Sequence, residues 1–403
     1  MKIAVFSDIH LGFGTNTELW YDAFDSFKEA MKKSLDCDVI LIAGDMFDSR
    51  NPGTDVLARA MEILMESLLV DNDVKIVEGI NKDVKELSPI HEKGIPVIAI
   101  HGTHERRVKG FINPVEALEK AGFLIHLHCS SIILEKNNER ICVHGMSGVP
   151  DHYTESVLQN WNPKPVRGCF NILMLHQSLK PFMYAEHLTD IEKLPKGFDI
   201  YICGHIHEAM KYKHRDSLFL IPGSFIVTQI TKEALKPKGF WKFDTRDPEK
   251  TLEFVEFENQ RKIHIEEINE EATEEKITSI IKNIISQNHA KKPVIRIKLL
   301  KDSSIDLNYI AKRYSNHAIL SFKKSPSCKE GFGFKTVEEH KLSVEELGKK
   351  LLRENIARSG LDIPVFENVF EFLLEGKAEE ALNILKSKIK VNEGRNHDQN
   401  ISG

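Results

Sequence analysis

The chain is 403 residues long, 41% hydrophobic and 29% charged, with a net charge of −5 at pH 7. That length exceeds a single compact core, so two or three domains are expected, and the composition is that of a soluble globular protein. Six scattered cysteines without a CxxC pair exclude a disulfide scaffold or zinc knuckle, and the weakly acidic balance selects no partner by itself.

The sequence opens directly on the apolar run Lys2-Ile3-Ala4-Val5-Phe6, with neither a basic leader nor a cleavage site. No apolar run is long enough to span a bilayer, so no membrane role is expected and the cytoplasm is the simplest location. Up to about residue 245 the chain alternates β-branched runs with amphipathic stretches, the rhythm of an α/β domain. Strands are expected over 3–6, 39–43, 96–100, 141–144, 172–175, 200–203 and 218–221, and helices over 18–33 and 54–69. Asp8, Asp45, His104, His176 and His205 each fall just after a strand, where open α/β sheets collect ligands.

Asp-Thr-Arg-Asp-Pro at 244–248 marks a loosening, after which a strand at 253–258, a helix at 270–286 and a strand at 294–299 suggest a smaller α+β domain. Residues 291–335 carry 11 Lys/Arg against 3 Asp/Glu, which is either a solvated face or a polyanion-binding one. Ser325-Pro326-Ser327 to Gly331-Phe332-Gly333 reads as a linker, and Ser343 with Glu346 forms a capping box that opens a helical tail. Val365, Phe366, Val369, Phe370, Leu373 and Leu374 give that tail a wide apolar face. The expected organisation is a catalytic domain at 1–248, a small domain at 249–325, a linker at 326–341, a helical segment at 342–391 and a disordered tail at 392–403.

The chemistry lies in the strand-end residues. Asp8-Ile9-His10 sets two ligands two residues apart, and both would point the same way if the strand continued. Gly44-Asp45 follows the next strand with a carboxylate able to bridge two cations, His176 adds an imidazole, and Gly204-His205-Ile206-His207 repeats the paired geometry. Mixed histidine and carboxylate ligands suit Mn²⁺, Fe or Zn²⁺ over Ca²⁺. Taken singly, a strand-end histidine is most often satisfied structurally and an aspartate there often caps a helix. The ordered set Asp-x-His, Gly-Asp, Gly-x-His-Glu, His, Gly-His-x-His is a different matter.

With those motifs the chain resembles the calcineurin-like metallophosphoesterase superfamily, and within it the archaeal branch of the Mre-eleven/SbcD double-strand-break repair nucleases. Phe6-Ser7-Asp8-Ile9-His10-Leu11-Gly12, Ala43-Gly44-Asp45-Met46-Phe47-Asp48, Leu175-His176-Gln177, Cys203-Gly204-His205-Ile206-His207 and Pro222-Gly223-Ser224 carry the resemblance. It implies a two-sheet sandwich flanked by helices, with a small α+β capping domain and C-terminal helices. It also implies one Mn²⁺ on Asp8, His10, Asp45 and His207, and a second on Asp45, His176 and His205, two per subunit. Water would attack phosphorus in line between them, and His104 would contact the scissile phosphate and the leaving oxygen. Thr103 stands where the family carries an asparagine ligand, so the second site is expected to be weaker. Asp48 stands where many members carry a phosphate-contacting histidine, and it is read here as a loop carboxylate.

The resemblance further implies a DNA nuclease, exonucleolytic on duplexes and endonucleolytic on single strands. Its partner would be a Rad-fifty/SbcC-type ATPase docked on the tail through Phe366, Phe370 and Leu373. Arg106, Arg107, Lys109 and Lys211 are the candidate DNA contacts, since phosphate neutralisation needs no sequence code. A homodimer is implied as well, and Leu57, Met61, Leu64, Met65 and Leu68 form a helical stripe that would serve either core or interface. A small-molecule or cyclic-nucleotide phosphodiesterase shares every ligand, and a decayed scaffold subunit is a third reading. The basic small domain and apolar tail speak against the second, and the intact ligand set against the third.

Overall fold

The computed structural model describes residues 1–107, 110–183, 188–231, 235–269, 272–300 and 305–324. Lys109, the linker, the helical segment with Phe366, Phe370 and Leu373, and the tail lie outside the described residues.

Two sheets form the first domain. One has six strands in the spatial order Glu253–Glu256, Gly239–Asp244, Lys2–Phe6, Val39–Ala43, Val97–Ile100 and Ile125–His126, with the last four parallel. The other has seven, ordered Met210–His214, Ser217–Ile221, Ile200–Gly204, Phe170–His176, Glu139–Met146, Ser130–Lys136 and Lys75–Ile80. A continuous apolar run suits a strand covered on both faces, and Val-Ile-Leu-Ile-Ala at Val39–Ala43 is buried at every position.

Alternation then divides the work. Ile3, Val5, Val39 and Leu41 meet Ile172, Met174, Ile200 and Ile202 in the core between the sheets. Ala4, Phe6, Ile40 and Ile42 face the other way, onto Phe27 and Met31 of the Trp20–Lys33 helix and Ala60 and Leu64 of the Thr54–Leu68 helix. Beyond the second sheet, Leu173, Leu175, Tyr201 and Phe219 pack with Leu158 of the Thr154–Trp161 helix. The result is the expected sandwich with helices outside it, and loops leaving the strand ends of both sheets converge on one place.

Three parallel strands, Ile263–Ile268, Val294–Leu299 and Ile319–Lys324, form a separate sheet with helices Glu274–Ile285 and Leu307–Tyr314. Ile268, Ile277, Ile281, Ile295, Ile297 and Ile310 give it a core of its own. The division from the first domain falls later than residue 248. Glu253–Glu256 pairs antiparallel with Gly239–Asp244, and Val255 and Phe257 pack into the first domain's core.

Much of the basic stretch is paired. Lys291 lies 3.1 Å from Asp22 and 2.7 Å from Asp25, Lys292 lies 2.6 Å from Glu18, Lys298 lies 3.1 Å from Glu267 and Arg313 lies 3.6 Å from Glu274. Arg261 adds a two-pronged contact to Asp22 at 2.6 and 3.0 Å. Lys291, Lys292 and Arg261 dock the small domain onto Glu18, Asp22 and Asp25 at the start of the Trp20–Lys33 helix, while Lys298 and Arg313 pair within the small domain. Among the described residues, no helix is long and apolar enough to cross a membrane.

Candidate metal centre

The Lys2–Phe6 strand ends before its ligands, and Asp8 (φ 51°) and His10 (φ 55°) both adopt left-handed backbone. They therefore do not align as neighbours on a continuing strand. Asp45 (φ 48°) and His205 (φ 84°) share that conformation, which costs on the order of 1–3 kcal/mol per residue and persists only where the surroundings enforce it. The enforcement is visible. The Asp8 N–H bonds the Gly44 carbonyl and the His10 N–H bonds the Asp45 carbonyl, both at 3.0 Å. Two glycines let these loops approach: a Cβ on Gly44 would stand 2.3 Å from His176 Nδ1, and one on Gly102 would stand 2.1 Å from Asp45 Oδ1.

Three groupings of possible ligand atoms result: Asp8, His10 and His207; Asp45, His176 and His205; and His10, Asp45 and His104. In the first, His10 Nε2 and His207 Nε2 are 3.2 Å apart, and His207 Nε2 is 3.6 Å from Asp8 Oδ1. In the second, His176 Nε2 is 3.2 Å from Asp45 Oδ2, outside hydrogen-bond geometry. Asp8 Oδ1 and His176 Nε2 are buried and have no hydrogen-bond partner. Buried polar atoms left unpaired are costly, and lone pairs converging in this way fit divalent cations. Asp45 belongs to both of the last two groupings, so the residues present fit divalent-cation binding.

The other ring nitrogens and oxygens orient these ligands. His176 Nδ1–H donates to the Ala43 carbonyl at 2.7 Å, which leaves Nε2 bare. Ser7 donates to Asp8 Oδ2, and the His205 N–H does the same at 3.1 Å. Thr228 Oγ1 lies 3.0 Å from His207 Nδ1, and Asp48 Oδ1 lies 3.2 Å from His10 Nδ1. Asp48, read from sequence as a loop carboxylate, thus sits directly behind His10, a candidate ligand.

Electrostatics follow the packing. Burial alone would keep His176 neutral, but the adjacent Asp45 carboxylate raises its pKa well above the imidazole range. Burial opposes ionisation of Asp45 too, and His176 outweighs it and lowers its pKa. His207, where burial outweighs Asp8, is pushed down to about 4.

His104 stands at the rim and is exposed, its ring edge-on to His10 at 4.8 Å. Its N–H bonds Asp45 Oδ1 at 2.9 Å, and its Nδ1 faces the Asp48 carbonyl at 3.0 Å. Thr103 Oγ1 donates to Asp45 Oδ2 at 3.3 Å. Arg106 and Lys211 are exposed, and half-buried Arg107 turns back to the Ile112 carbonyl at 3.4 Å. Sequence reasoning missed Glu105, Thr228 and Lys238. Glu105 was visible as the acid after His104 but was given no role.

A family model described as calcineurin-like phosphoesterase matches residues 1–209. The DNA double-strand break repair protein Mre11 of Methanopyrus kandleri is 28% identical over 302 residues, covering 69% of this chain and 61% of that protein. Double-strand break repair protein MRE11 of Oryza sativa subsp. indica is 22% identical, covering 91% of this chain and 61% of its own. The protein of that name from Arabidopsis thaliana is also 22% identical, with coverage of 91% and 60%. The chain spans about three-fifths of the length of these curated relatives.

Proposed function

The chain belongs to the calcineurin-like phosphoesterase family, and from that premise we propose that it is a two-Mn²⁺ DNA nuclease of double-strand break repair. The observation that carries the reading is the pair of triads, linked by the grouping of His10, Asp45 and His104, with the buried atoms Asp8 Oδ1 and His176 Nε2 left unpartnered. The relatives named as double-strand break repair proteins support DNA as the substrate.

Asp8, His10, Asp45 and His207 would hold one cation, and Asp45, His176 and His205 the other, with the Thr103 hydroxyl beside it. Bound cations would supply Lewis-acid activation of water and neutralise charge developing at phosphorus. The protein's own groups do the rest. With Nδ1 turned to the Asp48 carbonyl, His104 presents Nε2 to solvent at the rim. There it would bind the phosphate and deliver a proton to the leaving oxygen. Exposed Arg106 and Lys211 would neutralise neighbouring phosphates.

The tail at 342–391, through Phe366, Phe370 and Leu373, would engage a Rad-fifty/SbcC-type ATPase; a chain cut before Leu342 should then lose that partner on co-purification. Met65 and Leu69 are exposed on the Thr54–Leu68 helix and its cap while Leu64 packs inward, which suits a homodimer face.

The deciding assay offers Mn²⁺ with end-labelled duplex DNA, single-stranded DNA and bis-p-nitrophenyl phosphate, beside a His104→Gln variant. Nucleolytic products that vanish with chelation and in the variant are expected. Hydrolysis of the small ester alone would make this a small-molecule phosphodiesterase, and no hydrolysis at all would leave a scaffold subunit.

A further inference from the structure

His207 is gripped at its backbone and, separately, at its ring. Its carbonyl accepts from the Ser224 N–H at 3.1 Å and from the Lys238 ammonium at 2.8 Å. Among the described residues outside the ligand set, Thr228 alone holds the ring, through the 3.0 Å contact to Nδ1. Nε2 is turned to His10 and Asp8, so when a cation takes Nε2 the hydrogen must sit on Nδ1, where the Thr228 oxygen is placed to accept it. Only that tautomer leaves Nε2 free for a cation.

The loop bearing Thr228 changes character along its length. Phe225 and Ile226 are buried, and the Phe225 backbone is tied to the Asp8 carbonyl at 3.1 Å and to Gln260 at 3.2 Å. From Val227 to Ile230 the residues are half-buried or exposed. Val227, Thr228 and Ile230 border a cavity of about 140 Å³ whose far side is formed by Ile263, Val294, Ile319 and Ser321 of the small domain. One side chain crosses between the two. Arg296 Nη1 donates to the Ile230 carbonyl at 2.8 Å, while Nε and Nη2 both donate to Ser321 Oγ, at 3.2 and 3.1 Å. The planar guanidinium fork makes this a directional tie between the small domain's sheet and the Thr228 loop.

We propose that Thr228 is a positioning residue for His207, and that Arg296 couples it to the docked small domain. The first cation site is then complete only while the small domain is docked. The inference rests on reading Asp8, His10 and His207 as cation ligands.

Calorimetric titration of the full chain with Mn²⁺ tests it, alongside long-range ¹H–¹⁵N spectra of labelled histidines taken without metal. Thr228→Val is expected to weaken one Mn²⁺ site by roughly 10–100-fold, the scale for an outer partner of a ligating histidine. It should also shift His207 away from the Nδ1–H tautomer. Thr228→Ser keeps the oxygen and should restore both. Arg296→Ala should move both in the same direction, with an affinity loss of about two- to thirtyfold, the range for coupling through side-chain networks. His176, tied to the Ala43 carbonyl, is an internal reference whose tautomer should not change. Unaltered Mn²⁺ affinity in Thr228→Val, no recovery in Thr228→Ser, or a His207 tautomer indifferent to Arg296 would each overturn the proposal. A parent chain that takes up no Mn²⁺ would instead overturn the metal reading on which it rests.

Discussion

Two groups of buried histidines meet at the segment 101–105, and they are opposite in electrostatics. On one side His10 and His176 face Asp8, Asp45 and Asp48. Burial favours the neutral ring in both, yet the carboxylates raise both pKa values. On the other side His101 Nδ1 lies 2.9 Å from His126 Nε2, with Asn113 and Ser147 as hydrogen-bonding partners, the Glu116 carboxylate 4.0 Å from His126 Nδ1 and the His128 ring 5.5 Å from His101. There burial pushes His101 down to about 3, helped by the positive charges of His128, His176 and Arg106, and His126 falls well below its ordinary value. The imidazole and the degree of burial are the same. Carboxylates 3.2 Å away raise the pKa of a buried ring, whereas hydroxyl and amide partners, with the half-exposed Glu116 carboxylate at 4.0 Å, leave burial in control and the ring neutral.

Asp45→Asn should break this comparison most severely, because it removes the carboxylate common to two of the three ligand groupings and, on the proposed reading, to both cation sites. Mn²⁺ uptake at both sites should collapse, and hydrolysis should fall by more than the roughly 100-fold that marks the upper range for an outer partner. Calorimetry beside the phosphodiester assay checks this. One site surviving at parental affinity would show that Asp45 is not a bridge.

Glu105 lies between the two groups, fully buried, with Oε1 accepting from the Phe47 N–H at 2.8 Å and Oε2 from the Gly102 N–H at 2.7 Å. Burial and the Asp45 charge push its carboxyl up to about 8. Glutamine offers one acceptor where two are needed, so Glu105→Gln should cost about 1–3 kcal/mol of stability. Denaturant unfolding measures that cost. A variant as stable as the parent would mean that this fork does not hold the loop.

The strands that carry ligands were legible because their apolar runs have few other stable uses. The reading of 39–43 matches Val39–Ala43, and that of 200–203 falls one residue short of Ile200–Gly204. The residues that converge were legible as an ordered set of motifs. Their backbone was not: the left-handed turns at Asp8 and His10 come from bonds to Gly44 and Asp45, distant in sequence. Lys75–Ile80 and Met210–His214 escaped notice because edge strands need little apolar patterning. Thr228 escaped because a single loop hydroxyl has no periodic signature. Counting lysines at 291–335 likewise could not reveal acidic partners in the Trp20–Lys33 helix, contributed by a distant part of the chain.

The neutral histidine group has its own test. A folded His126 that resists protonation takes up its proton only on unfolding. Its contribution to stability is therefore complete above the unfolded value of about 6.5 and is lost as pH falls below it. Stability should decline by up to about 1.4 kcal/mol per pH unit for this one ring. His126→Gln should flatten the slope between about pH 6.5 and about pH 5 by that amount. An unchanged slope would mean that His126 already binds a proton in the folded protein.

The smallest effect sharpens the comparison within the metal centre itself. The Thr103 hydroxyl now spends its hydrogen on Asp45 Oδ2 at 3.3 Å, so it serves the neighbouring carboxylate and not an ion. An asparagine carbonyl reaches further and brings a stronger oxygen donor without changing the net charge. Gly102 and Gly148 pack closely here, so a Cβ on Gly148 would stand 2.8 Å from the Gly102 carbonyl carbon, and the backbone has little room to shift. Thr103→Asn should therefore tighten the second Mn²⁺ by no more than about tenfold, roughly what one added neutral polar contact contributes. The first site should be unmoved, because its proposed ligands Asp8 and His207 are contacted by Ser7 and Thr228, on other loops. Two-site calorimetry separates these outcomes: equal affinities in parent and variant would show that position 103 does not limit the second site.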